Sequence, residues 1–338
     1  MPAILPRLTI PALLFFMSVK MATAAEWGRP VDGNVQPVWG SRGGLQFAIS
    51  PGGFTGGDGG PRGLIRIGYP TLPEGRYDLI NFIALEPIVG KARGYSELER
   101  SHFDGHQGKC FWTGSPPDSK GVVSAPQPGV ISSPAPGIEE LTVTLRTEKF
   151  DNGAHVRLEL SLRSNAPDEL RLVVRAEEDS APLTSCILTA TMGNKARNRL
   201  LWLRDETASS LRIFNGYDGP DFAPQNVFPL AKLGRNAAND VLVAMTTDEE
   251  NPATTAGQPL GWEYRGSKVT QYWRKPAAGV NDSLRCAINA RFMYWMSRNP
   301  IPGGLAYENF ELVENFKDGA EFVFGVTKTP VGKLIKQP

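Results

Sequence analysis

Apolar residues recur at every second position through much of this chain, in runs too short for helices. Leu141-Thr-Val-Thr-Leu-Arg146 alternates, and so does His155-Val-Arg-Leu-Glu-Leu-Ser-Leu-Arg163. Side chains of an extended strand point to opposite faces in turn, so this period marks strands with one face in a core. Asp151-Asn152-Gly153 joins the two runs, and Asn-Gly between alternating segments is a strong hairpin signal. Further strand-like segments are Gly63 to Gly68, Leu170 to Ala176, Leu183 to Met192, Leu200 to Arg204, Leu211 to Phe214, Val241 to Thr246, Lys268 to Trp273 and Glu321 to Val326. Leu79 to Leu85 is almost continuously apolar, as expected of a strand covered on both faces. Ser283 to Trp295 reads as strand in preference to helix. The breaks fall on Gly, Pro, Asn and Asp, and the chain has 36 glycines and 28 prolines. A dozen or so short strands with little helix imply an all-β fold, a large antiparallel β-sandwich.

Two stretches read as long loops within one sandwich domain spanning residues 26–338. The first is the glycine-rich segment 40–63, which matches no phosphate-binding motif because no Gly-Lys-Ser/Thr follows it. The second is the Pro/Ser/Gly-rich segment 114–137. Residues 1–25 read as a signal peptide. Arg7 precedes a short apolar run, Leu8 to Val19, and Ala22-Thr23-Ala24 provides small residues for cleavage. That run falls short of the roughly 20 residues that span a bilayer, so a periplasmic or secreted protein without a membrane span is expected.

Charge excludes a further class of function. The chain has 36 Lys and Arg against 35 Asp and Glu, a formal net charge of +1. Arg7 and Lys20 leave with the signal segment, so no electrostatic footprint for nucleic acid remains. In an oxidising compartment two of Cys110, Cys186 and Cys286 could pair, and the sequence does not choose which; cysteines this sparse are more often buried thiols than a disulfide framework, and none lies in a CxxC motif.

The densest polar region is Glu86 to Trp112, which contains two of the three histidines, His102 and His106. Histidine is the natural proton carrier near neutral pH. The spacing also admits a divalent metal at His102 and His106, with a third ligand from Glu97, Glu99 or Asp104; the preferred expectation is acid/base chemistry without a cofactor. Arg62, Arg66 and Arg93 are of the type that clamps a carboxylate. A second cluster runs from Tyr307 to Glu314. Read as an unbroken strand, it places Glu308 on one face with Phe310, and Glu311 on the other with Tyr307. A carboxyl among apolar neighbours has a raised pKa and serves as acid or base. Sugar rings stack on aromatic faces while amides and carboxylates hold their hydroxyls. Trp112, Tyr217, Trp262 and Tyr264 are the candidate platforms, with Asn81 and Glu86 as polar neighbours. The sequence lacks a Gly-x-Ser-x-Gly elbow and a His-Glu-x-x-His motif, which sets serine hydrolase and zinc protease chemistry aside.

Three groups of segments resemble secreted bacterial proteins of the galactose mutarotase-like, β-supersandwich class. They are Arg62-Gly-Leu-Ile-Arg-Ile-Gly-Tyr69 with Ile80-Asn-Phe-Ile-Ala-Leu-Glu-Pro-Ile88; Ile187-Leu-Thr-Ala-Thr-Met-Gly-Asn194; and Ala306-Tyr-Glu-Asn-Phe-Glu-Leu312 with Gly319-Ala-Glu-Phe-Val-Phe-Gly325. The class includes sugar epimerases, polysaccharide lyases and glycosidase-associated domains. The resemblance implies a supersandwich-like fold, with a histidine and a late glutamate as acid and base. His102 or His106 would fill the first role and Glu308 or Glu311 the second. Export shifts the expectation from a sugar epimerase toward polysaccharide processing. The combined expectation is a carbohydrate-active enzyme, of lyase or epimerase type ahead of hydrolase, with segments 86–112 and 307–311 facing one groove. The alternative is a non-catalytic carbohydrate-binding or cell-surface module.

Overall fold

The structure is a computed structural model that describes residues 26–31, 36–54, 61–259 and 261–336. The expected signal peptide, residues 1–25, lies outside the described residues, as do 55–60 within the glycine-rich segment. Strand accounts for 43% of the structure and helix for 6%, in two large antiparallel sheets packed as a sandwich.

Across the first sheet the strands run Trp27–Gly28, Val38–Ser41, Gln46–Ala48, Leu64–Tyr69, Asp78–Val89, Ser185–Ala190, Ala306–Val313, Arg285–Arg291 and Asn226–Pro229. Ala92–Arg93 pairs beside Asp78–Val89. The second sheet runs Thr207–Ser209, Asn198–Trp202, Val241–Thr247, Thr270–Lys275, Ala320–Thr327, Ala166–Ala176, Val156–Arg163, Ile138–Thr147 and Phe111–Trp112. Gly234–Arg235 pairs with Val241–Thr247, and Val130–Ala135 with Ile138–Thr147. The Asp151-Asn152-Gly153 turn joins strands that pair antiparallel, with Leu158 opposite Leu145 and Leu160 opposite Val143.

Alternation explains the core. Ile65 and Ile67, Ile83 and Leu85, Leu188 and Ala190, and Phe310 and Leu312 point inward from the first sheet. They meet Leu158, Leu160, Leu172, Trp273 and Phe324 from the second. Burial of each such aliphatic or aromatic side chain stabilises the fold by about 1.5–3 kcal/mol. Trp273 and Phe324 lie edge to face at 4.9 Å, and Phe310 sits 6.2 Å from Phe324 across the sandwich. Two polar ties cross the same layer. The Trp273 indole N–H donates to the Phe310 carbonyl at 2.9 Å, and the Asn81 amide donates to Gln271 Oε1 at 2.6 Å.

Several local expectations are corrected. Leu211 to Phe214 is not a strand: Ser210–Ile213 forms a single helical turn, with the Phe214 N–H bonded to the Ser210 carbonyl. The stretch is too short for its period to discriminate the two. The glycine-rich segment 40–63 is not loop throughout. It opens within Val38–Ser41 and contains Gln46–Ala48, whose Phe47 packs on Trp39 at 5.2 Å. The loop expected over 114–137 ends in Val130–Ala135, an exposed edge strand. All three cysteines are free and buried. Among the described residues, no helix is long and apolar enough to cross a membrane.

Candidate functional site

Leu64 and Phe82 of the first sheet, with Thr191 just past the end of Ser185–Ala190, form the floor of a large cavity of about 1,070 Å³. Its walls come from loops: Glu97 to Gln107, Lys120 to Val123, Gly261-Trp262 and Trp295-Met296. The volume is at the top of the range of about 300–1,000 Å³ usual for ligand pockets.

A β-bulge sets the chemistry of the floor. Ile288 pairs with Phe310 and Ala290 pairs with Tyr307, so Glu308 and Asn309 together oppose the single residue Asn289. A bulge of this kind re-aims side chains. Tyr307 and Phe310 both enter the core, while Glu308 and Asn309 both line the cavity. This corrects the unbroken-strand reading, in which Glu308 shared a face with Phe310. The Asn289 side-chain oxygen accepts from the Asn309 N–H at 3.0 Å and fixes the bulge. The turn at Met192 to Asn194 braces it from the next strand, where the Gly193 N–H donates to the Glu308 carbonyl at 3.0 Å. A Cβ at Gly193 would lie 2.6 Å from the Tyr307 carbonyl oxygen, so only glycine lets the two backbones approach this closely.

Glu308 is 4% exposed, and its Oε2 has no hydrogen-bond partner among the described residues. Burial pushes its pKa well above the ordinary carboxyl value. The neighbouring charge of Glu97 raises it further, against the opposing pull of Arg291. The protonated form of Glu308 is therefore favoured relative to that of an exposed carboxyl. Glu97 stands on the cavity wall, pushed up to about 7 by burial. Its loop is anchored through Ser96. The Ser96 hydroxyl donates to the Gly63 carbonyl at 2.5 Å and accepts from the Leu85 N–H at 2.9 Å, while the Ser96 N–H donates to the Leu85 carbonyl at 3.0 Å. Gly63 has φ +72°, and a Cβ there would collide with the Ser96 carbonyl at 1.9 Å.

Of the residues expected to act as acid or base, His106 and Glu308 line the cavity, whereas His102 and Glu311 do not. His106 is exposed at the mouth, its Nδ1 3.6 Å from the Asp104 carboxylate. His102 is turned away, 2.9 Å from Asp151 and 3.3 Å from the Lys109 ammonium. The two histidines thus face different carboxylates. Among the described residues, no three His, Cys, Asp or Glu side chains converge as a ligand set. Glu311 is buried on the same sheet face, where Gln225 Nε2 donates to its Oε1 at 3.2 Å.

Of the expected binding residues, Arg62 and Trp262 line the cavity. Arg62 is not a free clamp. It makes a two-pronged pair with Asp104, at 2.6 and 3.0 Å, and holds Asp104 well below the usual carboxylate range. Trp262 packs on Tyr294 with ring centroids 5.2 Å apart. The others serve the fold. Arg66 is buried and donates to the Gly53 and Pro61 carbonyls, tying down the glycine-rich segment. Asn81 bridges the sheets. Glu86 pairs with Arg93, and Arg93 lies over the Tyr95 ring. Trp112 is buried against Phe103. Tyr217 donates to the Phe222 carbonyl at 3.1 Å, and Tyr264 to the Ser267 carbonyl at 2.7 Å.

Sequence reasoning passed over several residues of the cavity. Glu97 was weighed only as a metal ligand, and Asn309 only as a strand residue. Lys195 donates to Asp78 at 3.0 Å and to the Leu79 carbonyl at 2.6 Å. Phe222, Trp295 and Met296 at the mouth lie in loops without a motif, and their conspicuous exposure is a tertiary property. Comparison with protein-family models, with curated proteins and with solved structures found no match.

Proposed function

We propose that the protein is an exported carbohydrate-active enzyme working by general acid/base chemistry on a sugar ring or glycosidic bond. Lyase or epimerase-type chemistry ranks ahead of hydrolysis. The observation that carries this reading is Glu308: a buried carboxyl with an unpartnered oxygen, facing a cavity large enough for a glycan. A carboxyl kept neutral at the working pH donates its proton to a sugar oxygen in the transition state. Glu97 takes the complementary role. With a pKa near 7 it is substantially ionised at neutral pH and accepts a proton from the substrate, the role the sequence pattern suggests for a histidine. Trp262, Phe82 and Met192 provide apolar faces for the sugar C–H groups, and Asn309 and Thr191 provide hydrogen-bonding groups for hydroxyls. The resemblance to the galactose mutarotase-like class points the same way, since a late glutamate is part of its acid/base pair.

Turnover across a broad glycan panel, measured for wild type and for Glu308→Gln, Glu97→Gln and His106→Ala, tests this. Loss of a general acid or base lowers the rate by roughly 10²–10⁴-fold, and both glutamine variants are expected to show such losses while still binding glycan. Turnover unchanged in Glu308→Gln would overturn the assignment. Binding without turnover in the wild type would favour a non-catalytic carbohydrate-binding module.

A further inference from the structure

At the mouth of the cavity a ring pair stands out from the protein. Phe222 is 40% exposed, Trp295 is 39% exposed, and Met296 beside them is 91% exposed. Exposed apolar residues of this size, grouped on the rim of a cavity, mark a contact surface. The two rings are 6.0 Å apart and tilted by 34°. They are held in place from beneath. Arg291 lies 4.8 Å from the Phe222 ring and 5.1 Å from the Trp295 ring. Its guanidinium donates to the Met293 carbonyl at 3.0 Å and to the Pro220 carbonyl at 2.8 Å. Phe222 is also bridged through its backbone to Arg291. The platform is therefore built before any ligand arrives, which lowers the entropic cost of binding on it. It is continuous with the site, because Phe222, Trp295 and Met296 line the same cavity as Glu308, and Arg291 is the cation whose charge acts on Glu308.

We propose that Trp295 and Phe222 form a second sugar subsite, so that the substrate is a glycan chain with one ring seated on this platform and a ring several units further along the chain presented to Glu308. This rests on the carbohydrate reading above and adds to it the polymeric nature of the substrate. A sugar ring has an apolar C–H face that a tilted aromatic pair matches, and the volume beneath exceeds what one ring needs. Arg291 acts as a positioning residue: it fixes the platform relative to the acid.

The test compares the disaccharide and the hexasaccharide of whichever panel glycan the wild type turns over, for wild type, Trp295→Ala, Phe222→Ala and Trp295→Tyr. Loss of one aromatic stacking contact weakens binding by roughly tenfold. Both alanine variants are expected to raise KM for the hexasaccharide by that factor, leave kcat unchanged and leave the disaccharide unaffected. Trp295→Tyr should restore most of the loss, which a merely structural role would not predict. An equal KM ratio of hexasaccharide to disaccharide in wild type and Trp295→Ala would overturn the subsite while leaving the acid/base reading intact. A wild-type protein that forms a dimer broken by Trp295→Ala, with no change in length dependence, would identify the platform as a protein contact and overturn the proposal. A wild type that neither binds nor turns over any glycan would defeat the functional reading itself, and the subsite with it.

Discussion

Glu311→Gln should make the protein more stable at alkaline pH and leave it unchanged at acid pH. Glu311 is 1% exposed, and burial pushes its carboxyl from 4.5 to about 7, against the opposing charge of Arg93. The folded protein therefore binds this proton more tightly than the unfolded chain. The resulting stabilisation is fully present below the unfolded pKa of 4.5 and is lost as pH rises through about 7. A tenfold difference in proton affinity between the folded and unfolded chains corresponds to about 1.4 kcal/mol, so the loss amounts to about 3 kcal/mol once the group is ionised. Glutamine keeps the shape and the oxygen that accepts from Gln225, and it carries no charge. Urea unfolding of both proteins at about pH 4.5 and about pH 8.5 reads the difference directly, because the contributions of Glu97 and Glu308 cancel in the comparison. The expected stabilities are equal at the lower pH, with the variant ahead by about 3 kcal/mol at the higher. A difference that does not change with pH, or a variant less stable at the higher pH, would refute the reasoning.

Three other outcomes are expected. Activity should rise through about pH 7 as Glu97 ionises, and this rising limb should vanish in Glu97→Gln; kcat/KM against pH decides. Gly193→Ala places a methyl group against the Tyr307 carbonyl and should cost about 1–3 kcal/mol in stability, with a fall in kcat as the bulge carrying Glu308 shifts; calorimetry and turnover read the two effects. Cys110, Cys186 and Cys286 are buried thiols, with Cys110 pushed up to about 11 and Cys186 to about 12 by burial, so thiol labelling at mildly alkaline pH should find none in the native protein and all three after denaturation.

The sheets were legible because their signal is local. Alternation over residues 141–146 and 155–163, and the Asn152-Gly153 turn between them, report directly on which side of a strand meets the core. The signal fails where the backbone departs from the regular period. Nothing in Tyr307-Glu-Asn-Phe310 announces a bulge, so strict alternation grouped Glu308 with Phe310, when the extra residue sends Tyr307 and Phe310 inward together. Residues 211–214 failed for a related reason, since four residues cannot separate a helical turn from a strand. The polar stretches 86–112 and 307–311 were visible as clusters, and both contribute to one cavity wall and floor. What composition could not show is which members are turned away. His102 faces Asp151, Arg62 is occupied by Asp104, and Arg66 is spent on backbone carbonyls, all through contacts made by distant parts of the chain. Glu97 and the Phe222–Trp295 pair acquire their character only from burial and exposure, which depend on how the loops are laid over the sheet.

To act as the proposed acid, Glu308 must carry its proton in the cavity. Infrared difference spectroscopy of wild type against Glu308→Gln, recorded at neutral pH, detects the protonated carboxyl C=O stretch directly. The expected result is a band of a neutral carboxylic acid that disappears in the variant and persists in the wild type well above the ordinary carboxyl range. A carboxylate signature for Glu308 at neutral pH would contradict it.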